Sequence, residues 1–161
     1  GEDRAAYLRA IANSFMISAD NAHAVHPSHL DKADPVNRPY MNRGIVLKYS
    51  ANQKYTTDAV SGAVFKSFCE KAKVPFQCFT NRSDMLGGST LGNISNSQVA
   101  LNTVDICLAQ LSMHSPFETL AFSTAIISWK WRSCSTLLRF SEEETASWRF
   151  GSRKGREEVR S

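Results

Sequence analysis

Short apolar runs alternate with helix-forming stretches along the first 121 residues, and this alternation restricts the fold more than any other feature. Residues 45–49, 76–80 and 103–108 have the length and composition of buried strands, and residues 15–17 form a shorter run of the same kind. Apolar residues recur at helical spacing in residues 3–13, 58–73 and about 94–101. Strands that alternate with helices in this way predict βαβ units and a three-layer α/β/α fold.

Residues that could take part in a ligand-binding site follow several of the predicted strands. Asp20, the glycine pair at residues 87–88 and His114 each come after one of them. Because ligand sites in α/β folds collect at the C-terminal ends of strands, we expect these residues to converge on one edge of the sheet. Residues 21–43 have no sustained periodicity and predict a long loop, which is more often functional than connective.

A helix start is predicted directly after His114. Ser115, Pro116 and Glu118 occur in the order of an N-cap, a first helical residue and a capping-box acid. This pattern predicts that His114 lies just before a helix N-terminus.

The net charge of +4 is concentrated near the end of the chain, where residues 122–161 hold 8 Lys/Arg and 5 Asp/Glu. These charge clusters have little apolar periodicity, so the end of the chain is predicted to be poorly packed or disordered. Basic residues raise the hypothesis of nucleic-acid binding, but the glutamate clusters among them argue against it.

Cysteine spacing and hydropathy favour a cytoplasmic protein without a membrane span. Cys69, Cys78, Cys107 and Cys134 are far apart, without a CxxC pair, which indicates reduced thiols rather than a zinc ribbon or a disulfide framework. No run of 18 uninterrupted apolar residues occurs, and the first residues have no signal-peptide pattern.

The densest group of candidate metal ligands is Asp20, His23 and His26. Carboxylate oxygens and imidazole nitrogens are ligands that zinc prefers. Spacing alone also allows a turn-capping aspartate with surface histidines. His114, Lys48 and Tyr55 likewise have ordinary structural interpretations, and residues 87–90 lack the pattern of a phosphate-binding loop.

The order of four motifs adds a resemblance to a known family. The segments SADNAHAVHP, RPYMNRGIVLKYSANQKYTT, TNRSDMLGGSTLGNIS and NTVDICLAQLSMHSPFET resemble the C-terminal half of the M18 metallopeptidase catalytic domain, the aspartyl aminopeptidase family. The resemblance is collinear from Phe15 to Thr119. It implies that residues 1–121 are part of a three-layer α/β/α zinc-exopeptidase domain, followed by a divergent tail over residues 122–161.

The resemblance also implies site residues, cofactors and partners. The family removes N-terminal residues, often acidic ones, from peptides with two zinc ions, and its complete members form homododecamers. By the matching motifs, Asp20 would bind one metal and His114 the other. The substrate-binding residues would be His23, Lys48, Tyr55, Gly88, Ser89 and Thr90.

The resemblance further implies that this chain has no catalytic residue of its own. The family holds its general-base glutamate and the remaining metal ligands in an N-terminal half that has no counterpart here, so we expect the chain alone to be inactive. After about Glu118 the sequence departs from the family pattern, as a reading-frame change in the source gene would produce. The alternative to a metallo-aminopeptidase fragment is a non-catalytic assembly or interaction module.

Overall fold

The computed structural model describes residues 3–123 of the chain. Its elements are α1 (Arg4–Ala12), β1 (Phe15–His23), a 3-10 turn (Leu30–Lys32), β2 (Ile45–Tyr49), α2 (Ala59–Lys71), β3 (Phe76–Thr80), α3 (Leu91–Gln98), β4 (Asn102–Leu111) and β5 (Thr119–Leu120). The predicted poorly ordered tail lies outside the described residues from residue 124 onward. None of the helices within residues 3–123 has the length and apolar character needed to cross a bilayer.

The strands form one mixed sheet in the order β1-β4-β2-β3, with β5 paired to β4. The β1–β4 and β2–β3 pairs are parallel, whereas β2 and β5 run antiparallel to β4. The nine-residue register of β1 on β4 sets Asp20 beside Cys107 and His23 beside Gln110. The pairing extends along the whole of β1, from the apolar Phe15 to the polar residues at its end.

Helix α2 covers one face of the sheet. Asp58 caps it by accepting a hydrogen bond from Ser61 N, and the Ser61 hydroxyl accepts one from Asp58 N in return. Its apolar stripe, predicted from the sequence, includes Phe65, which is fully buried against β2 and β4. The core on this face contains Ile45, Leu47, Phe65, Cys69, Val74, Val104 and Ile106.

Helix α3 packs on the opposite face, which makes three layers. Its Gly92 N donates to the Ser18 hydroxyl at 3.1 Å. A Cβ at Gly92 would lie 2.7 Å from a carboxylate oxygen of Asp105, so the absence of a side chain allows the helix to reach the sheet. The second core cluster holds Ala22, Val46, Tyr55, Phe79, Cys107 and Ala109. The predicted three-layer α/β/α arrangement is therefore confirmed for the described part of the chain.

The predicted helix start at Ser115 is wrong. Ser115 uses its hydroxyl in a local turn, where it accepts from Phe117 N at 3.0 Å, and Glu118 accepts from His114 N at 2.7 Å. The chain then turns back and β5 pairs with β4. The same residue types that cap helices also close tight turns, and here the end of β4, beyond its pairing with β2, is free to pair with β5.

The long loop predicted over residues 21–43 begins later than expected. Residues 20–23, three of which are polar, remain in β1 because each pairs with a residue of β4, so the irregular segment starts only after His23. The loop contains the short 3-10 turn, and it is joined to the sheet by hydrogen bonds such as Val25 N to Pro39 O.

Candidate functional site

A cavity of about 600 Å³ brings most of the predicted site residues together. Its walls come from the end of β1, the loop that follows it, β2, the segment after β3 and the turn after β4. Of the predicted residues, the lining includes Asp20, His23, Lys48, Tyr55, Gly88, Ser89 and His114. Thr90 does not line it: its side chain is buried at the N-cap of α3.

The two histidines expected to serve different roles lie side by side. The rings of His23 and His114 are 6.3 Å apart, centroid to centroid, in an edge-on arrangement. Burial lowers the pKa of His23, and the neighbouring His114 and Lys48 charges lower it further. Because its ordinary value is 6.5, this shift favours a neutral His23 imidazole at pH 7.

His114 is held in an unusual backbone conformation. Its φ of 70° is in the left-handed region, which residues other than glycine adopt infrequently. The hydrogen bond from its backbone N–H to the Glu118 carboxylate closes the turn around it. The turn directs the chain so that His114 lines the same cavity as Asp20 on β1.

Lys48 and Tyr55 form a buried pair on the cavity wall. Lys48 is 5% exposed, donates to Asn21 O at 2.9 Å, and has its ammonium 5.0 Å from the centre of the Tyr55 ring. A strand-end lysine usually extends into solvent, whereas the Lys48 side chain is buried. The arrangement supplies a positive charge and a phenolic hydroxyl to one side of the cavity.

Three residues for which the sequence predicts no role, Asp105, Thr56 and Asn81, form hydrogen bonds between separate segments of the chain. The buried Asp105 carboxylate accepts from Thr56 N at 2.6 Å and from the Thr56 hydroxyl at 2.8 Å. Asn81 lines the cavity and donates to the Tyr55 hydroxyl. The sequence contains a signal for two of these residues. Asp105 is a charged residue within the apolar strand predicted at residues 103–108, and Asn81 directly follows a predicted strand.

The donor atoms fit part of a metal site. Asp20 and His114 offer a carboxylate oxygen and an imidazole nitrogen to the same cavity, which suits zinc. Within residues 3–123, however, no group of three or more His, Cys, Asp or Glu side chains is arranged to hold an ion. The described residues therefore contain candidate ligands but not a complete metal site.

Comparison with known proteins gives one consistent family. A family model described as "Aminopeptidase I zinc metalloprotease (M18)" matches residues 1–130. A curated relative from Clostridium acetobutylicum, "Probable M18 family aminopeptidase 2", is 54% identical over 115 residues, which cover 71% of this chain and 27% of the relative.

Solved structures agree with this fold. An Ape4 structure, determined in complex with Nbr1, is 30% identical with a TM-score of 0.75, covering 88% of this chain and 29% of the other. An M18 family aminopeptidase from Thermotoga maritima is 26% identical with a TM-score of 0.73, covering 83% of this chain and 31% of the other. The chain spans about a quarter of the length of the curated relatives it matches.

Proposed function

Because the chain belongs to the M18 family of zinc metalloproteases, we propose that it supplies one wall of a two-metal aminopeptidase active site. The observation that supports this most directly is the convergence of Asp20, His23, Lys48, Tyr55 and His114 on one cavity. These residues come from segments up to about 90 positions apart in sequence, and they are among those to which the M18 resemblance assigned a role.

Asp20 and His114 would each bind one of two zinc ions. When bound, such ions polarise the scissile carbonyl and lower the pKa of a metal-bound water. His23 would contact the substrate near the scissile bond, since its ring lies against that of His114. Lys48 and Tyr55 would hold the peptide, and the backbone of Gly88 and Ser89 would line its binding pocket.

The general base and the remaining metal ligands would come from a part of the family fold outside residues 3–123. The chain matches only about a quarter of the length of its relatives, which supports that view. On its own the chain would hydrolyse no peptide. The complete protein would act on N-terminal residues of peptides, acidic ones among them, and would form a homo-oligomer as the family resemblance implies.

A chimera tests the site assignment. Residues 3–119 would replace the matching segment of the Clostridium acetobutylicum relative, and zinc content and aminopeptidase activity would be measured. We expect an active chimera, in which Asp20→Asn or His114→Gln lowers kcat/KM by about 100-fold or more. Replacing residues that only orient metal ligands already lowers metal affinity or activity by about 10–100-fold.

His29→Gln provides the matched comparison for His114→Gln. His29 lines the same cavity, but its ring packs at 5.0 Å against His26 rather than beside His23. We expect its substitution to leave zinc content unchanged. An active chimera that keeps full zinc content and activity after both Asp20→Asn and His114→Gln would refute the metal assignment.

A further inference from the structure

We propose that Asn81 is a positioning residue that fixes the direction of the Tyr55 hydroxyl, so that Tyr55 donates its proton to an oxygen of the bound peptide. The inference deepens the proposed function and rests on it, because it needs a peptide in the cavity. The observation behind it is a hydrogen bond of 3.1 Å from Asn81 Nδ2 to Tyr55 Oη.

Tyr55 is held from several sides. Only 4% of the residue is exposed, its ring packs 6.3 Å from the ring of Phe79, and the Lys48 ammonium lies 5.0 Å from its centroid. These contacts fix the ring but leave the hydroxyl free to rotate about the C–O bond. The Asn81 amide is the group that restricts this rotation.

The Asn81 amide nitrogen and the Tyr55 hydroxyl differ in what they can donate and accept, and this determines where the hydroxyl proton points. An amide nitrogen only donates, so Tyr55 Oη accepts from Asn81 and its own proton must point elsewhere. Within residues 3–123 no acceptor for that proton is found, and both side chains line the cavity. The hydroxyl is thus prepared to donate to a ligand, because a buried donor without an acceptor is costly.

Gly87 makes room for this amide. A Cβ built at Gly87 would lie 2.1 Å from Asn81 Nδ2, closer than any two unbonded heavy atoms can approach. The Lys54 ammonium donates to Gly87 O at 2.8 Å and holds the loop in place. A side chain at Gly87 would therefore displace Asn81 from Tyr55, which gives a second and independent means of breaking the contact.

The contact itself is tested by NMR on the 161-residue chain. We expect the side-chain amide signal of Asn81 to move in Tyr55→Phe and in Gly87→Ala, and to stay unchanged in Gly88→Ala. Nothing lies within 4 Å of a Cβ at Gly88, which makes it the matched control. An Asn81 signal that is unaffected by Tyr55→Phe would overturn the inference regardless of any activity.

The orientation is tested in the chimera by reversing the polarity of the contact. The Asn81→Asp side chain has only acceptor oxygens, so the Tyr55 hydroxyl would donate its hydrogen bond to residue 81 instead of to the peptide. We therefore expect this variant to lower kcat/KM roughly tenfold, as much as Tyr55→Phe. In the Tyr55→Phe background, Asn81→Asp should cost little more. Asn52→Asp, on an exposed loop, introduces the same charge and should leave kcat/KM unchanged.

The outcomes separate the two proposals. A penalty for Asn81→Asp that persists at full size in the Tyr55→Phe background would indicate a charge or folding effect and overturn the positioning role. Full activity of Asn81→Asp would also overturn it. Such a result would mean that an oxygen next to Tyr55 serves as well as the amide nitrogen, as it would if Asn81 presents its oxygen to Tyr55. A chimera without activity, together with the expected NMR shifts, would contradict the proposed function while leaving the contact in place.

Discussion

The cysteine thiols of the described chain differ in their access to water. Burial raises the pKa of Cys69 and of Cys107 to about 12, whereas Cys78 on β3 is partly exposed. At pH 8 a thiol with that pKa is about one part in 10,000 thiolate, the form that reacts with alkylating agents. We therefore expect iodoacetamide to modify Cys78 well before Cys69 and Cys107, as followed by peptide mass spectrometry.

Denaturant provides the control for this experiment. In high urea the burial that raises both pKa values is lost, so all the thiols should react at similar rates. Cys134 lies outside the described residues and is followed separately through its own peptide. Equal labelling of Cys107 and Cys78 in the native chain would contradict the burial of β4.

Site residues are predictable from the sequence only where the resemblance assigns them a role, since the matching segments also contain Asn81, Thr56 and Asp105, to which it assigns none. Asp20, His23 and His114 stand in recognisable motifs, and the structure brings them to one cavity, although their roles remain predictions. Asn81 contacts Tyr55 across 26 positions, and Asp105 contacts Thr56 across 49. Such contacts depend on how separate elements are packed, and no local pattern encodes them.

Among the helices and strands, the apolar segments are predicted best from the sequence. The bounds of β2 and β3 agree with the prediction to the residue, because both are short runs between clear turn signals. The polar half of β1 and the hairpin to β5 were missed. Their strand structure comes from backbone pairing with β4, which residue type does not reveal.

The entry to β2 depends on Gly44. Its φ is 102°, and a Cβ there would lie 2.1 Å from Pro75 O, the acceptor for Ile45 N. Gly44→Ala should therefore strain the backbone and separate β2 from the segment before β3. We expect it to lower the free energy of unfolding by about 2 kcal/mol or more, measured by urea denaturation.

Gly88→Ala is the matched control for this substitution. It adds the same methyl group where nothing lies within 4 Å, so its effect on the free energy of unfolding should stay within about 1 kcal/mol. Equal stability of the two variants would show that the Gly44 conformation does not support β2.

Several apolar side chains of the described residues are largely exposed to solvent. Helix α1 has no buried residue, and Leu8 within it is 51% exposed. Leu86, which lines the cavity, and Phe117, in the turn after β4, are 96% and 84% exposed. A helix gains most of its stability from packing of an apolar face, so we expect α1 to pack against a segment outside residues 3–123.

Fragment complementation tests this expectation and distinguishes the two functional hypotheses. The 161-residue chain would be co-expressed with the Clostridium acetobutylicum relative from which the matching segment has been removed. If the chain supplies one wall of the active site, the two parts should copurify, bind zinc that neither holds alone and regain aminopeptidase activity. The destabilised Gly44→Ala chain should do so poorly. Copurification without gain of zinc or activity would favour the non-catalytic assembly module, because both hypotheses require the apolar surfaces to pair but only one requires Asp20 and His114 to complete a metal site.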